Sequence, residues 1–512
     1  MKKITKLTGA LASTALGVSG LAVTASPTSA AHIKAPPCMV VNANMTLTAN
    51  IVDCAGDGIV VTADNVTLNL NGFTVSGQKV EAEQAGILLD NVKNVVVKGG
   101  TVTGFDAGVA IDGGSGNTVT GMTVKNNVND KIEAIDPRSI IVNPATGPTP
   151  QQMIDIGRIT CDYGDGITTV DSNFNTIKNN VVTANGPYSG ISLVGNSNNN
   201  KVSANKVIEN DLINDGVTDG MGNPVFVQGP TIPGPTPGTT VPNPQRGFHT
   251  SASTPGAVRP PSMCGATEIG TPGMGRGRLI QSIGVRVEGP GADRNLVDNN
   301  VVTKGGLAGI SFHSYVLVPA GPNVPIGDSN RNNVVSRNLV TKTGLDTSAI
   351  DSFADGIASL ASGPVGTVTR PSDTNTIVSN RSNNNVRNGI SLGRLSFDNT
   401  VDKNTVNNNG ANGIFVAGPV APNPANPSLD LRGAYDNNLS FNIGRGNGNG
   451  NGVTGFDGND QNPDCDNNIW TGNTFRTVSR PCVRGIVGSP ASAASAAAAP
   501  AEPTGGISHP SR

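Results

Sequence analysis

The sequence predicts an all-β solenoid, a parallel β-helix of about eleven stacked rungs interrupted by long loop insertions. Three observations predict it. First, Gly followed by Ile or Val recurs at Gly58-Ile59, Gly86-Ile87, Gly108-Val109, Gly166-Ile167, Gly190-Ile191, Gly284-Val285, Gly309-Ile310, Gly356-Ile357, Gly389-Ile390 and Gly413-Ile414, with shortest spacings of 22 to 25 residues. A unit that short cannot bury a face alone, so it is stable only when stacked on copies of itself. Second, Asn signals follow many of these phrases, as at Asn117-Thr118-Val119, Asn175-Thr176-Ile177 and Asn375-Thr376-Ile377, and again at Asn179-Asn180, Asn299-Asn300 and Asn404. Third, the chain has 60 Asn, 66 Gly and only 17 aromatic residues. Asn and Gly are poor helix formers, and so few aromatics do not fill a large α/β core.

Each unit reads as three short strands with alternating apolar positions, punctuated by Gly and Asn. Both accept the left-handed backbone of tight corners. Stacked rungs repeat about every 4.8 Å, so Asn side chains in one column can bond amide to amide.

Residues 1–31 read as a bacterial secretory signal. Lys2, Lys3 and Lys6 precede a weakly apolar stretch, and Ser29, Ala30 and Ala31 offer cleavage sites. No other segment is apolar enough to span a membrane, so the sequence is read as a secreted, extracellular, monomeric protein. An oxidising compartment suits its six Cys as disulfides. Order along the chain pairs Cys38 with Cys54 and Cys465 with Cys482, one pair at each end where a solenoid needs a cap. Cys161 and Cys264 are left to pair with each other. The domain boundaries are 32–487 for the solenoid and 488–512 for an Ala, Ser and Pro-rich tail that cannot bury a core. Insertions fall at about 128–161, 214–281 and 315–329. The second, rich in Pro and Gly, reads as a mobile loop rather than an ordered lid.

These residues carry a resemblance. From Gly56-Asp57-Gly58-Ile59 through Asn69-Leu70-Asn71-Gly72, and from Asn462-Pro463-Asp464-Cys465 through Cys482, the chain resembles exported bacterial right-handed parallel β-helix repeat proteins of the pectate-lyase-like superfamily. The resemblance covers about residues 38–487. It implies a right-handed helix that binds or processes extracellular polysaccharide, by lyase-, epimerase- or hydrolase-like chemistry. The chain departs from those enzymes. It lacks the Asn-Thr-Asp, Asp-Asp and His-Gly strings of polygalacturonase-like hydrolases. Its nearest approach to the Asp-Pro-His of alginate epimerases is Asp136-Pro137-Arg138. A non-catalytic glycan-binding or cell-envelope scaffold is therefore the alternative.

Strand alternation identifies a candidate site. After each Gly-Ile, the intervening residues point outward. Glu288 and His313 then share a column on neighbouring rungs, with Arg286 and Ser311 beside them and Tyr315 beyond. An acid, an imidazole, a guanidinium and a phenol in reach of one another could neutralise a uronate and move protons. Glu288 beside His313 is expected to raise the imidazole pKa. The bland reading of the same residues is a surface salt bridge worth little. Asp57, Asp165 and Asp355 precede Gly and read as turn residues more readily than as paired carboxylates. Asp457, Asn459, Asp460, Asp464 and Asp466 form an oxygen-rich loop. Calcium is the one cofactor it suggests, against turn chemistry beside a disulfide. The net charge of −2 and the lack of basic stripes with aromatics exclude nucleic acid as a partner.

Overall fold

The computed structural model describes residues 35–78, 84–127, 166–186, 189–210, 231–233, 240–242, 283–288, 291–306, 308–315, 330–344, 354–362, 372–419, 433–448 and 455–485. At 231–233, 240–242, 313–315 and 360–362 only the backbone is described. The signal segment, the tail, Cys161, Cys264 and the insertions at 128–161 and 316–329 lie outside the described residues. Within the 214–281 insertion, Thr231–Pro233 pairs antiparallel with Thr240–Pro242. Among the described residues no helix is long and apolar enough to cross a membrane.

The fold is a right-handed parallel β-helix with three sheets. The first sheet stacks twelve described strands, from Met39–Val41 through Ile283–Glu288, Ala308–Tyr315 and Asp355–Ser362 to Gly458–Asp460. The second runs from Met45–Thr46 to Ile469–Thr471, and the third from Ile51–Cys54 to Thr474–Phe475. Val96–Thr103 and Thr118–Lys125 are long enough to serve both of these.

The Ile after each Gly forms one interior column. Ile59, Ile87, Val109, Ile167, Ile191, Val285, Ile310, Ile357, Ile390 and Ile414 are paired rung to rung, and all are fully buried. The second sheet contributes Leu68, Val97, Val119, Ile177, Val202 and their successors to Trp470, and the third contributes Val75, Val102, Val124, Val182 and Val207. β-branched side chains suit such pleated walls, so the core needs few aromatics.

The Gly of the phrase has a different role from the one expected. At Gly58, Gly86, Gly108, Gly166, Gly190, Gly284 and Gly309 the backbone is not left-handed. These residues face the third-sheet Val across a narrow corner. A Cβ on Gly309 would sit 2.2 Å from Val340 Cγ1 and 2.7 Å from the carbonyl oxygen of Gly356. Gly is required there for space.

The corners are built on buried Asn. Three ladders run along the rod, one per corner, where the sequence showed two signals. At the second corner Asn180, Asn205, Asn300, Asn338, Asn380, Asn404, Asn442 and Asn473 form an unbroken chain, each Nδ2 donating to the next Oδ1 at 3.0 Å. The first corner carries Asn175, Asn200, Asn295, Asn333, Asn375, Asn399, Asn437 and Asn468. The third carries Asn127, Asn185 and Asn210, and later Asn385, Asn409 and Asn447. Each Oδ1 also accepts a backbone N–H of the neighbouring rung, as Asn300 does from Asn205 at 2.9 Å.

The left-handed residue is the one before each ladder Asn, and its identity is open. It is Phe174, Ala204, Arg294, Arg337, Ser379, Lys403 or Glu209, all with φ between 49° and 59°. The conformation costs an ordinary residue roughly 1–2 kcal/mol. The buried amide behind it, with three or four hydrogen bonds, outweighs that cost.

Both end disulfides form as expected. Cys38 and Cys54 have Cα atoms 5.6 Å apart, and Cys465 and Cys482 6.2 Å. The C-terminal pair joins two short 3-10 turns, Pro463–Asn467 and Pro481–Arg484. Replacing Cys465 and Cys482 together by Ala is expected to cost about 3 kcal/mol, read as a lower thermal midpoint. An unchanged midpoint would show that the last rung closes without the bond.

Candidate functional site

The register places the sequence-derived residues as alternation required. Arg286 pairs with Ser311 and Glu288 with His313 on the next rung of the first sheet. His313 pairs in turn with Leu360, and Tyr315 with Ser362. The side chains of His313 and Tyr315 lie outside the described residues.

Arg286 and Glu288 alternate with the interior Val285 and Val287 and so belong to the outer face. They are nevertheless buried, at 0% and 1% exposure. Arg286 Nη1 donates to Glu288 Oε2 at 2.5 Å. This corrects the alternative of a solvated rim pair. A buried pair is shielded from salt screening, and it carries a desolvation penalty that an apolar pair would avoid.

Burial extends along this face. Thr168, Ser192, Ser311, Ala358 and Ser391 occupy the Arg286 column and are all nearly inaccessible. Ser192 Oγ donates to Thr168 Oγ1 at 2.8 Å. Ile283, Ala308 and Ala358 form a small apolar cluster of their own on this side. Toward either end the same column opens, with Val40 at 57% exposure.

Asp355, read from the sequence as a turn residue, is part of this buried face. Its Oδ1 accepts the Asn388 backbone N–H at 3.0 Å. Asn388 Oδ1 accepts both the N–H (3.2 Å) and Nδ2 (2.8 Å) of Asn412. The Asp-Gly slot is thus a turn acceptor, a role Asp57 repeats toward Ala85 N–H at 2.8 Å. Burial pushes the Asp355 carboxyl above the usual carboxylate range, while Arg387 and the donors of Asn388 and Ser391 pull it back. A carboxyl with a raised folded pKa holds its proton more tightly in the native state. Its contribution is most favourable in acid and is lost as pH rises from the ordinary value through the folded one. Asp355→Asn is expected to flatten that dependence and leave the protein at least as stable at neutral pH. Unfolding midpoints across the pH range check this, and a variant less stable than the parent at neutral pH contradicts it.

The oxygen-rich C-terminal loop is engaged internally. Asp457 Oδ1 accepts Asn447 Nδ2 at 2.7 Å, and its Oδ2 accepts the N–H groups of Arg476 and Thr477. Asp460 accepts from Asn462 through Oδ1 and from Asn468 Nδ2 and Trp470 Nε1 through Oδ2. Two Asn ladders therefore end on carboxylates, whose oxygens are already hydrogen-bonded rather than turned to a cation. Among the described residues no group of three or more His, Cys, Asp or Glu is placed to hold a metal.

A family profile described as periplasmic copper-binding protein (NosD) matches residues 27–223. No curated protein matches the chain. Among solved structures, the chain is similar to the Dettilon tailspike protein (gp208), at 15% identity and TM-score 0.44, covering 85% of this chain and 60% of that one. It is similar to the periplasmic alginate epimerase AlgG at 12% identity and TM-score 0.38, covering 82% and 76%. The A-module of the Azotobacter vinelandii mannuronan C-5 epimerase AlgE6 follows at 10% and 0.34, covering 87% and 91%. The chain thus spans about three fifths of the tailspike's length.

The described residues of the profile-matched stretch do not fit copper. Copper favours thiolate, thioether and imidazole ligands. Here Cys38 and Cys54 are joined, Met39 and Met45 pack against the core, and Met122 lies within it. No histidine occurs among the described residues of that stretch. What the rungs, ladders and register establish is the architecture: the chain is a parallel β-helix repeat protein.

Proposed function

We propose that this protein is exported and binds or processes extracellular polysaccharide along the outer face of its first sheet, with Arg286, Glu288, His313 and Tyr315 as the reacting or orienting groups. One observation carries the reading. A fully buried ion pair occupies the outer face of a repeat whose core is already complete. Such a pair adds little stability over apolar residues of the same size, so its presence there suits a ligand better than it suits the fold. An acidic sugar would have to uncover Arg286 and compete with Glu288 for its guanidinium, and His313, in register with Glu288, would give or take a proton.

The test is a screen of acidic and neutral polysaccharides for cleavage or epimerisation, followed by His313→Ala. The expected result is turnover that falls by about 100-fold or more in the variant, in line with lost acid–base catalysis. Turnover unaffected by the substitution removes these residues from the chemistry. Binding without any turnover assigns the protein to the scaffold class instead.

A further inference from the structure

We propose that the outer faces of the second and third sheets, between residues 67 and 208, dock an acidic polysaccharide. This surface shares no residue with the first-sheet site.

Five lysines project from these faces. Lys98 and Lys178 occupy one column of the second sheet, two rungs apart through Thr120, or about 10 Å at the rung repeat. Lys201 stands in the adjacent column, on the rung after Lys178. Lys125 and Lys206 belong to the third sheet. All five are exposed, and among the described residues none of them forms a salt bridge. No Asp or Glu occurs in these strands, whose other outward positions are mostly Thr, including Thr101, Thr118, Thr123 and Thr176. On the next rung, burial raises the Asp298 carboxyl, but Arg337, Ser336 and Lys201 together bring it below the ordinary value.

Charge is divided by face at this end of the rod. The first sheet presents Asp90 and Asp112, paired in register, and its described strands carry no Lys or Arg before Arg286. An anionic chain is therefore repelled from one side and drawn to the other. The lysine face also has the chemistry to choose among anionic polymers. Its strands contain no aromatic residue on which a base could stack. They contain no broad apolar strip to enter a membrane. They offer ammonium groups for carboxylates and Thr hydroxyls for sugar hydroxyls.

The experiment uses the full chain with polygalacturonate, neutral dextran, duplex DNA and phosphatidylglycerol vesicles as probes. Polygalacturonate is expected to bind, dextran not to bind, and binding to weaken steeply with added salt. The triple variant Lys98→Gln, Lys178→Gln and Lys201→Gln is expected to weaken it at least about tenfold. These side chains are exposed, so the fold should be retained, which the unfolding midpoint verifies. Affinity unchanged by the triple substitution overturns the proposal. So does equal binding of dextran, or tighter binding of DNA or vesicles. None of these outcomes bears on turnover at the first sheet, which His313→Ala reads separately.

Discussion

Asn300→Ala is expected to cost about 4 kcal/mol, a large fraction of the stability of most domains. The side chain sits at the middle of the second-corner ladder. Its Oδ1 accepts both the backbone N–H and Nδ2 of Asn205, and its Nδ2 donates to Val202 O and Asn338 Oδ1. Ala leaves the Asn205 N–H and the Val202 carbonyl buried without that partner, each at about 1–3 kcal/mol. The control is the preceding position. Asn299 is exposed and left-handed at φ 55°, and Ala already holds the equivalent place at Ala204. Asn299→Ala should cost no more than about 1–2 kcal/mol. Stacked repeats can lose cooperativity, so native-state hydrogen exchange at the flanking rungs is the sharper readout. Equal effects at 299 and 300 would falsify the ladder as the source of corner stability.

Gly284→Ala is the second large effect. The new Cβ would lie 2.3 Å from Val302 Cγ1 and 2.5 Å from the Gly309 carbonyl oxygen. The side chain can turn aside, but the carbonyl belongs to the next rung and cannot move without breaking the first-sheet ladder. Overpacking of this kind costs about 3 kcal/mol or more. Adding Val302→Ala should recover only the part due to Val302, which a double-mutant cycle isolates. Gly72 offers the contrast. It is left-handed at φ 84° with open space around its Cα, so Gly72→Ala should show the conformational cost alone, about 1–2 kcal/mol. Should the two glycines respond alike, the space argument for the repeated phrase fails.

The fold was legible because the Gly-Ile phrase is forced. Only one residue fits the narrow corner, and the Ile after it always faces the interior. The third ladder was not separated from the second, because its doublet Asn126-Asn127 reads as the same signal as Asn179-Asn180, while Asn185 follows Ala184 and Asn210 follows Glu209. The left-handed position is Asn at several corners, as at Asn126, Asn179, Asn299 and Asn384, but also takes Phe174, Arg294 or Glu209, so it marks the corners only in part. The disulfides could be read from order alone, since each closes a loop within one end. The site was legible in part. Alternation predicts that Arg286 and Glu288 point away from the core, and the register bears this out. It cannot report what shields an outward residue, so their burial was unexpected. Asp355 was legible as the turn residue it is, and only the burial of its acceptor was not.

The Asn ladders give the rod an electrical direction. In all three, the amide oxygen faces the N-terminal end and the amide nitrogen the C-terminal end. Their dipoles therefore add head to tail, as peptide dipoles do in an α-helix. The positive pole lies at the C-terminal cap, where the buried carboxylates of Asp457 and Asp460 receive two of the three ladders. The outer run from Asn412 to Asn388 points the other way and ends on Asp355. Each of these three acids thus occupies a positive pole, as acidic residues do at helix N-termini. A net charge of −2 conceals this polarity. Removing Asp457 and Asp460 would leave the C-terminal pole uncompensated even though every strand remained in place.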